Sequence, residues 1–396
     1  MNKLLFIMLF LYTLSFIFFD REGFIWYFYI VNILLYIVFF LNKYKKRSLA
    51  NFKINPMIII YVCFAIFSAF SIIWAIDTTI ALGRSITLML ISLNIFIVYN
   101  ILKEIKTIDP IFIGILFGVF VNFLLAIVPT FSFGENYIGW RFVGTTSNAN
   151  ILAMLALFSI LVSIYYLQIN PRMKYKVYLA LNFVFASYII FITGSKKGLI
   201  LGSLLLFVYL FSTVKSIESL VKIVFTIMLL SVVTYVAIIY FIDFNEFIKT
   251  FEQVSHRIEA ISELFSGQTI HDESTQERLM FISKAFDTLG NHPLLGIGID
   301  NFRVLYGTYA HNNYMELFAD VGLVGFFIYY SMYIYILYLC YKMERSYLQF
   351  LLSIFIFSML ILDVAQVSYF AKFNVFILIT IVYIAESYIN TKKRNI

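Results

Sequence analysis

The side chains best suited to chemistry crowd into one stretch, YAHNNYMELFADVGLVGF, at residues 309–326. His311 stands at the mouth of an apolar helix, followed by Asn312, Glu316 and Asp320 and by glycines at 322 and 325. A neutral imidazole near pH 7 accepts a proton from a hydroxyl, which makes histidine the commonest general base. Glu316 could orient that imidazole. Equally, a lone histidine at such a junction can be structural, and Glu316 and Asp320 can be satisfied inside a helical bundle. The remaining histidines, His256, His271 and His292, lie among polar residues.

A second set of residues is cationic. Arg84, Arg141, Lys196, Lys197, Arg278 and Arg303 fall at or near the ends of apolar stretches, on the side that carries His311. A cation within a membrane-spanning helix costs at least ~2.5–3.5 kcal/mol at its centre and less near the surface. Snorkelling, or pairing with Asp77 or Glu135, would explain any one of them. As a set they suit an anion, and a diphosphate in particular. Arg278 is expected in the first turn of a helix, whose free N–H groups favour phosphate, and a guanidinium binds phosphate through two parallel hydrogen bonds. Lys196 and Lys197 follow Gly194-Ser195 at another expected helix start.

The elements that must position these groups are membrane helices. The chain is 62% hydrophobic and 13% charged, with mean hydropathy +0.91, far from a soluble domain. A span needs about 20 apolar residues, and hydropathy predicts an all-α polytopic protein of about twelve transmembrane helices. They are expected at 3–19, 24–41, 56–76, 80–101, 111–131, 149–168, 177–194, 198–214, 220–242, 314–340, 347–364 and 372–389. The first reads as a retained helix, since no small-residue cleavage site follows it. Cys63 and Cys340 lie within spans and read as packing residues. Most of the 29 Lys and Arg residues fall in segments that become cytoplasmic if both termini do, as the positive-inside rule prefers.

This orientation divides the chain into helices 1–9 at 1–243, one long extracytoplasmic helical loop at 244–313 between helices 9 and 10, and helices 10–12 at 314–396. Within the loop, Phe251, Val254, Ile258, Ile261 and Phe265 repeat at spacings of three and four, predicting an amphipathic helix. Ser274 to Glu277 forms a capping box for a second helix, which Gly290, Asn291 and Pro293 close. A glycine-punctuated connector, PLLGIGIDNF at 293–302, then leads to His311.

His311-Asn312, nine residues, Gly322, two residues and Gly325 resemble the histidine motif of the O-antigen ligase and polysaccharide polymerase superfamily of bacterial membrane glycosyltransferases. RLMFISKAFDTLGNHPLLGIGIDNF (278–302), RFVGTTSNANILA (141–153) and TGSKKGL (193–199) are similar to the family's other outer-face segments. The resemblance implies transfer of a glycan from an undecaprenyl-diphosphate-linked oligosaccharide to a sugar hydroxyl on a glycan acceptor. The reaction would take place at the outer face of the bacterial cytoplasmic (inner) membrane. Carried over, His311 is the catalytic base and Arg278 and Arg141 bind the diphosphate. Lys196, Lys197, Arg84, Arg303, Asn312 and Glu316 complete the substrate-binding set. Lys196 stands where the family commonly has arginine, and lysine lacks the planar fork.

No GxxxxGK loop and no Asp-x-Asp pair for a metal–nucleotide occurs in the outer segments, so the expectation is a metal-independent, cofactor-free inverting transferase. A lipid-linked oligosaccharide flippase is the competing class, but neither an inverted repeat nor uniformly short connections favour it. A structural scaffold would leave His311 and the cations without a role. The Phe, Ile, Tyr, Asn and Lys bias suits an AT-rich Gram-positive genome, which inclines the reading to polymerisation of capsule or exopolysaccharide units over ligation. A chain-length regulator and a flippase would then be partners, with no role for nucleic acid.

Overall fold

The computed structural model describes residues 2–19, 21, 23–46, 51–128, 136–146, 148–169, 173–213, 273–344, 347–364 and 366–394. In chain order these form α1 (Asn2–Phe18), α2 (Ile25–Lys45), α3 (Pro56–Phe70, followed by a 3-10 turn, Ser71–Ile73), α4 (Thr78–Ile105) and α5 (Asp109–Ile127). A minimal antiparallel hairpin follows, β1 (Tyr137–Ile138) against β2 (Arg141–Phe142), with Tyr137 paired to Phe142 and Ile138 to Arg141. Then come α6 (Ala149–Ile169), α7 (Met173–Ile192), α8 (Lys196–Thr213), α9 (Glu273–Asn291), α10 (Phe302–Tyr306), α11 (Asn313–Lys342), α12 (Tyr347–Asp363) and α13 (Lys372–Arg394).

Among the described residues, seven helices are long and apolar enough to cross a membrane: Ile25–Lys45, Pro56–Ile73, Thr78–Ile105, Asp109–Ile127, Ala149–Leu167, Asn313–Lys342 and Lys372–Thr391. Asn2–Phe18, Lys176–Ile192 and Leu348–Asp363 are shorter apolar helices. The protein is a helical, polytopic membrane protein. The expected span at 220–242 and the amphipathic helix at 251–265 lie outside the described residues. Cys340 is buried, whereas Cys63 is exposed on α3 rather than packed.

The helix ends obey local chemistry. Asn55 caps α3, accepting from Met57 N at 2.8 Å, with Pro56 in the first helical position, where its missing N–H costs nothing. Asp77 caps α4 through Thr79 N and Ile80 N at 2.9 and 3.1 Å.

The chain divides into two compact units. One comprises Met1–Leu9, Leu35–Ile108 and His271–Ile396. In it α11 packs on α3, α9, α12 and α13, and α13 on α4. Phe64 meets Tyr329 with ring centroids 5.2 Å apart, and Glu386 ties α13 to Tyr99 (2.6 Å) and Lys103 (2.7 Å) of α4. The other comprises Phe10–Leu34 and Asp109–Ile270, where α6 packs against α5, α7 and α8. Its apolar helices are joined by buried polar contacts, such as Asn182 to Ser163 at 2.9 Å. Such side-chain bonds join helices where apolar burial gives no preference.

The decisive local feature lies in α11. Gly322 has φ 60° and ψ −166°, a conformation essentially closed to other residues. It interrupts the helical ladder, in which Leu323 N would bond Ala319 O and Val324 N would bond Asp320 O. Instead Leu323 N donates to Pro293 O (2.9 Å) and Val324 N to Leu294 O (3.2 Å), while Ile297 N and Gly298 N donate to Ala319 O (3.0 Å) and Asp320 O (2.9 Å). The connector thus replaces both missing helical bonds from one side. Backbone must touch backbone for this. A Cβ on Gly322 would collide with the Leu294 carbonyl and one on Gly296 with that of Asp320.

Gly322→Ala should therefore lower stability by at least about 2 kcal/mol, combining left-handed strain with overpacking. Gly290→Ala, which meets nothing within 4 Å, should be neutral or slightly stabilising. Thermal unfolding of both variants in detergent checks the contrast; equal midpoints would contradict it.

Candidate functional site

The connector is held on its other flank by the turn between α3 and α4. Ile76 N donates to Ile297 O at 3.3 Å, Trp74 Nε1 to Leu295 O at 3.2 Å and Ile299 N to Ser71 Oγ at 3.0 Å. Asn301 accepts from Asp77 N at 2.6 Å. From α11, both oxygens of the buried Asp320 receive backbone N–H groups, Oδ2 from Asp300 and Oδ1 from Phe302, each at 2.7 Å. Asp320 is thus a brace for the segment that starts α10.

The same end of α11 shapes the histidine loop. Asn312 caps the helix, accepting from Tyr314 N (3.0 Å) and Met315 N (3.2 Å). In a capping box an acid three positions into the helix binds the cap residue's own N–H. Here the acid sits one position later, and Glu316 Oε2 takes the N–H of Ala310 at 2.5 Å. Both oxygens of Glu316 are buried, and Oε1 has no hydrogen-bond partner among the described residues. Between Ala310 and Asn312, each so held, His311 takes φ 54°.

Its imidazole is half-buried and bracketed by aromatic rings, Tyr309 at 4.1 Å and Phe281 at 6.3 Å between centroids. Phe281 comes from α9, whose Phe281 and Ala285 pack with Phe302, Ala310 and Ala319. Arg278 lies one turn before Phe281 on α9 and is partly buried. Its charge pulls the Tyr309 hydroxyl down, although burial, the larger effect, pushes that hydroxyl above the ordinary tyrosine value. The structure therefore brings His311, Arg278 and Tyr309 together. The described part of α9 begins at Glu273, which puts Arg278 in the second turn rather than the expected first; the guanidinium, not the helix terminus, is what it offers an anion.

Arg84 and Arg303 meet at a third group. Asp300, in the left-handed conformation at φ 60°, presents Oδ2 to Arg84 Nε (3.0 Å) and Nη2 (2.9 Å) and to Arg303 Nη2 (2.7 Å). Arg84 also lies over the Phe370 ring, 3.5 Å from its centroid, a cation–π contact. Burial pushes the Asp300 carboxyl up from its ordinary value against the pull of both arginines. Asp77, one of the acids expected to pair with an outer cation, serves as a helix cap, and the partner of Arg84 is Asp300. Arg278, by contrast, has no hydrogen bond or ion pair among the described residues.

The other unit carries Arg141, Lys196 and Lys197. Arg141 donates from Nε to Thr193 O at 2.8 Å and from Nη2 to Asn150 Oδ1 at 3.0 Å, and Ser195 Oγ reaches the same Asn150 oxygen at 3.0 Å. The segments 141–150 and 193–197 are thus laced together. Lys196 and Lys197 open α8, where Gly198 N donates to Ser195 Oγ at 3.3 Å. Among the described residues no cluster of three His, Cys, Asp or Glu side chains could hold a metal ion.

A family model described as O-Antigen ligase matches residues 181–330, a stretch that contains Lys196, Lys197, Arg278, Arg303, His311, Gly322 and Gly325. Over this stretch, less than half of the chain, the protein is similar to O-antigen ligases. The match supports membership of the O-antigen ligase and polysaccharide polymerase superfamily, whose members are enzymes acting on glycans. A comparison with curated proteins finds no match. The O-antigen ligase match leaves out Arg84 and Arg141. Tyr309 is two residues before His311 in the sequence, whereas Phe281 and Asp300 become site neighbours only through the fold.

Asp300→Asn should destabilise the protein by about 2–4 kcal/mol, because it leaves the largely buried Arg84 guanidinium, whose side chain is 15% exposed, without its counter-charge. Arg303→Ala, with a side chain 43% exposed, should cost under about 1 kcal/mol. Thermal unfolding of the two variants separates these outcomes.

Proposed function

We propose that the protein is an integral-membrane glycosyltransferase that moves a glycan from an undecaprenyl-diphosphate donor to a sugar hydroxyl, polymerising capsule, exopolysaccharide or O-antigen repeat units. It would act at the outer face of the cytoplasmic membrane, with both termini cytoplasmic. The observation that carries this reading is the convergence of a half-buried histidine with an arginine that has no counter-ion among the described residues, inside the stretch similar to O-antigen ligases.

In this mechanism His311 takes the proton of the acceptor hydroxyl as its oxygen attacks the anomeric carbon. The bond from that carbon to the diphosphate oxygen breaks on the opposite face, so the configuration inverts. Arg278 neutralises the departing diphosphate through its planar fork, and no metal is needed.

The remaining cations divide by their surroundings. Arg84 and Arg303 are both paired with Asp300, Arg303 through a side chain that is 43% exposed. Arg141, Lys196 and Lys197 stay assigned to phosphate binding, and the lacing of their two segments supports their acting as one cationic element. Glu316 and Asn312 shape the histidine loop. The family's description favours the alternative of a ligase that joins preformed glycan to another acceptor.

His311→Ala should reduce transfer about 10²–10⁴-fold at unchanged protein level and melting temperature, and Arg278→Lys should be nearly as damaging. Normal product from His311→Ala would make the histidine structural. Purified protein given only undecaprenyl-diphosphate repeat units should build a ladder of lipid-linked chains. Transfer only when a separate acceptor is supplied would replace polymerase with ligase.

A further inference from the structure

We propose that Tyr309 is a ligand of the donor diphosphate, its hydroxyl and the Arg278 guanidinium forming a pair of donors that grip one phosphate beside His311. This rests on the reading of Arg278 as a diphosphate ligand and adds a residue to it. Tyr309 is 42% exposed, and its ring lies against the His311 imidazole. Among the described residues neither its hydroxyl nor Arg278 has a hydrogen-bond partner. The two groups come from different elements that meet at the imidazole: Tyr309 lies in the loop before α11, and Arg278 is one turn before Phe281 of α9, whose ring centroid is 6.3 Å from that of His311.

Chemistry restricts what such a pair can bind. Guanidinium has donors only. The phenol, pushed above its ordinary range by burial, keeps its proton at neutral pH and donates as well. Glu316, the acid whose charge reaches Tyr309, is turned to Ala310 N. Two donors with no acceptor among the described residues, one of them cationic, call for an anionic oxygen, and the phosphate leaving the sugar under attack is the anion that must lie within reach of His311.

The test is Tyr309→Phe in the full-length protein, which keeps the ring against His311 and removes only the hydroxyl. Binding of undecaprenyl diphosphate, measured in nanodiscs, should weaken about ten-fold or more, the effect of one lost hydrogen bond to a charged group. The KM for donor should rise by the same factor, with kcat and its pH profile unchanged. Wild-type binding by the variant would overturn the proposal. So would unchanged binding with a displaced pH profile, since the hydroxyl would then act on His311. If wild-type protein transfers glycan yet does not bind undecaprenyl diphosphate, the donor reading itself fails and Tyr309 falls with it.

Discussion

Everything at the candidate site hangs on the break at Gly322 and the strand of connector that fills it. A membrane helix that loses two backbone bonds in a water-poor setting faces several kcal/mol for each unsatisfied group. Here the carbonyls of Ala319 and Asp320 and the amides of Leu323 and Val324 are all taken by residues 293–298. The exchange fixes where the connector runs, and Asp320, two residues before the break, fixes where it ends by holding the amides of Asp300 and Phe302. Irregular backbone at membrane depth is tolerated when protein satisfies it, and such breaks are a recurrent way to build sites there.

From that frame the electrostatics divide into two parts. Asp300 uses one oxygen to engage both Arg84 and Arg303, so most of that positive charge is spent on holding α4 to the connector. Arg278 has no such partner among the described residues, and it stands with Tyr309 near the imidazole. A site that must neutralise a diphosphate in the transition state gains from a cation that does not first have to leave an internal acid. Glu316 contributes through the backbone: it pins Ala310, and Asn312 caps α11, so the residue between them is held in a left-handed conformation that few non-glycine residues adopt. Strain of this kind persists where its surroundings over-determine it.

Much of this was legible beforehand, for identifiable reasons. Hydropathy placed the helices because a span of apolar residues has few other uses, and the Gly-Asn-His-Pro close of α9 follows from ordinary stop signals. The glycines at 296 and 322 were visible as punctuation, but not that they face each other, because a backbone contact between residues so far apart leaves no periodic trace. Arg84 with Asp300 was missed for the same reason: their pairing depends on how the connector docks. Asn312, expected among the substrate-binding residues, also caps α11, a role its position just before an apolar run would have signalled. The described part of α9 begins two residues before Thr275, the first helical residue expected after a Ser274 cap, enough to move Arg278 out of the first turn.

The central claim is that docking of the connector at Gly322 presents His311 and Arg278 to one lipid diphosphate. A cryo-electron microscopy structure of the full-length protein in nanodiscs with undecaprenyl diphosphate bound tests it most directly. The account predicts the diphosphate within hydrogen-bond reach of Arg278, facing the His311 imidazole, with residues 293–298 still seated against the break in α11. A diphosphate lodged elsewhere, with Arg278 and His311 both unoccupied, would contradict it.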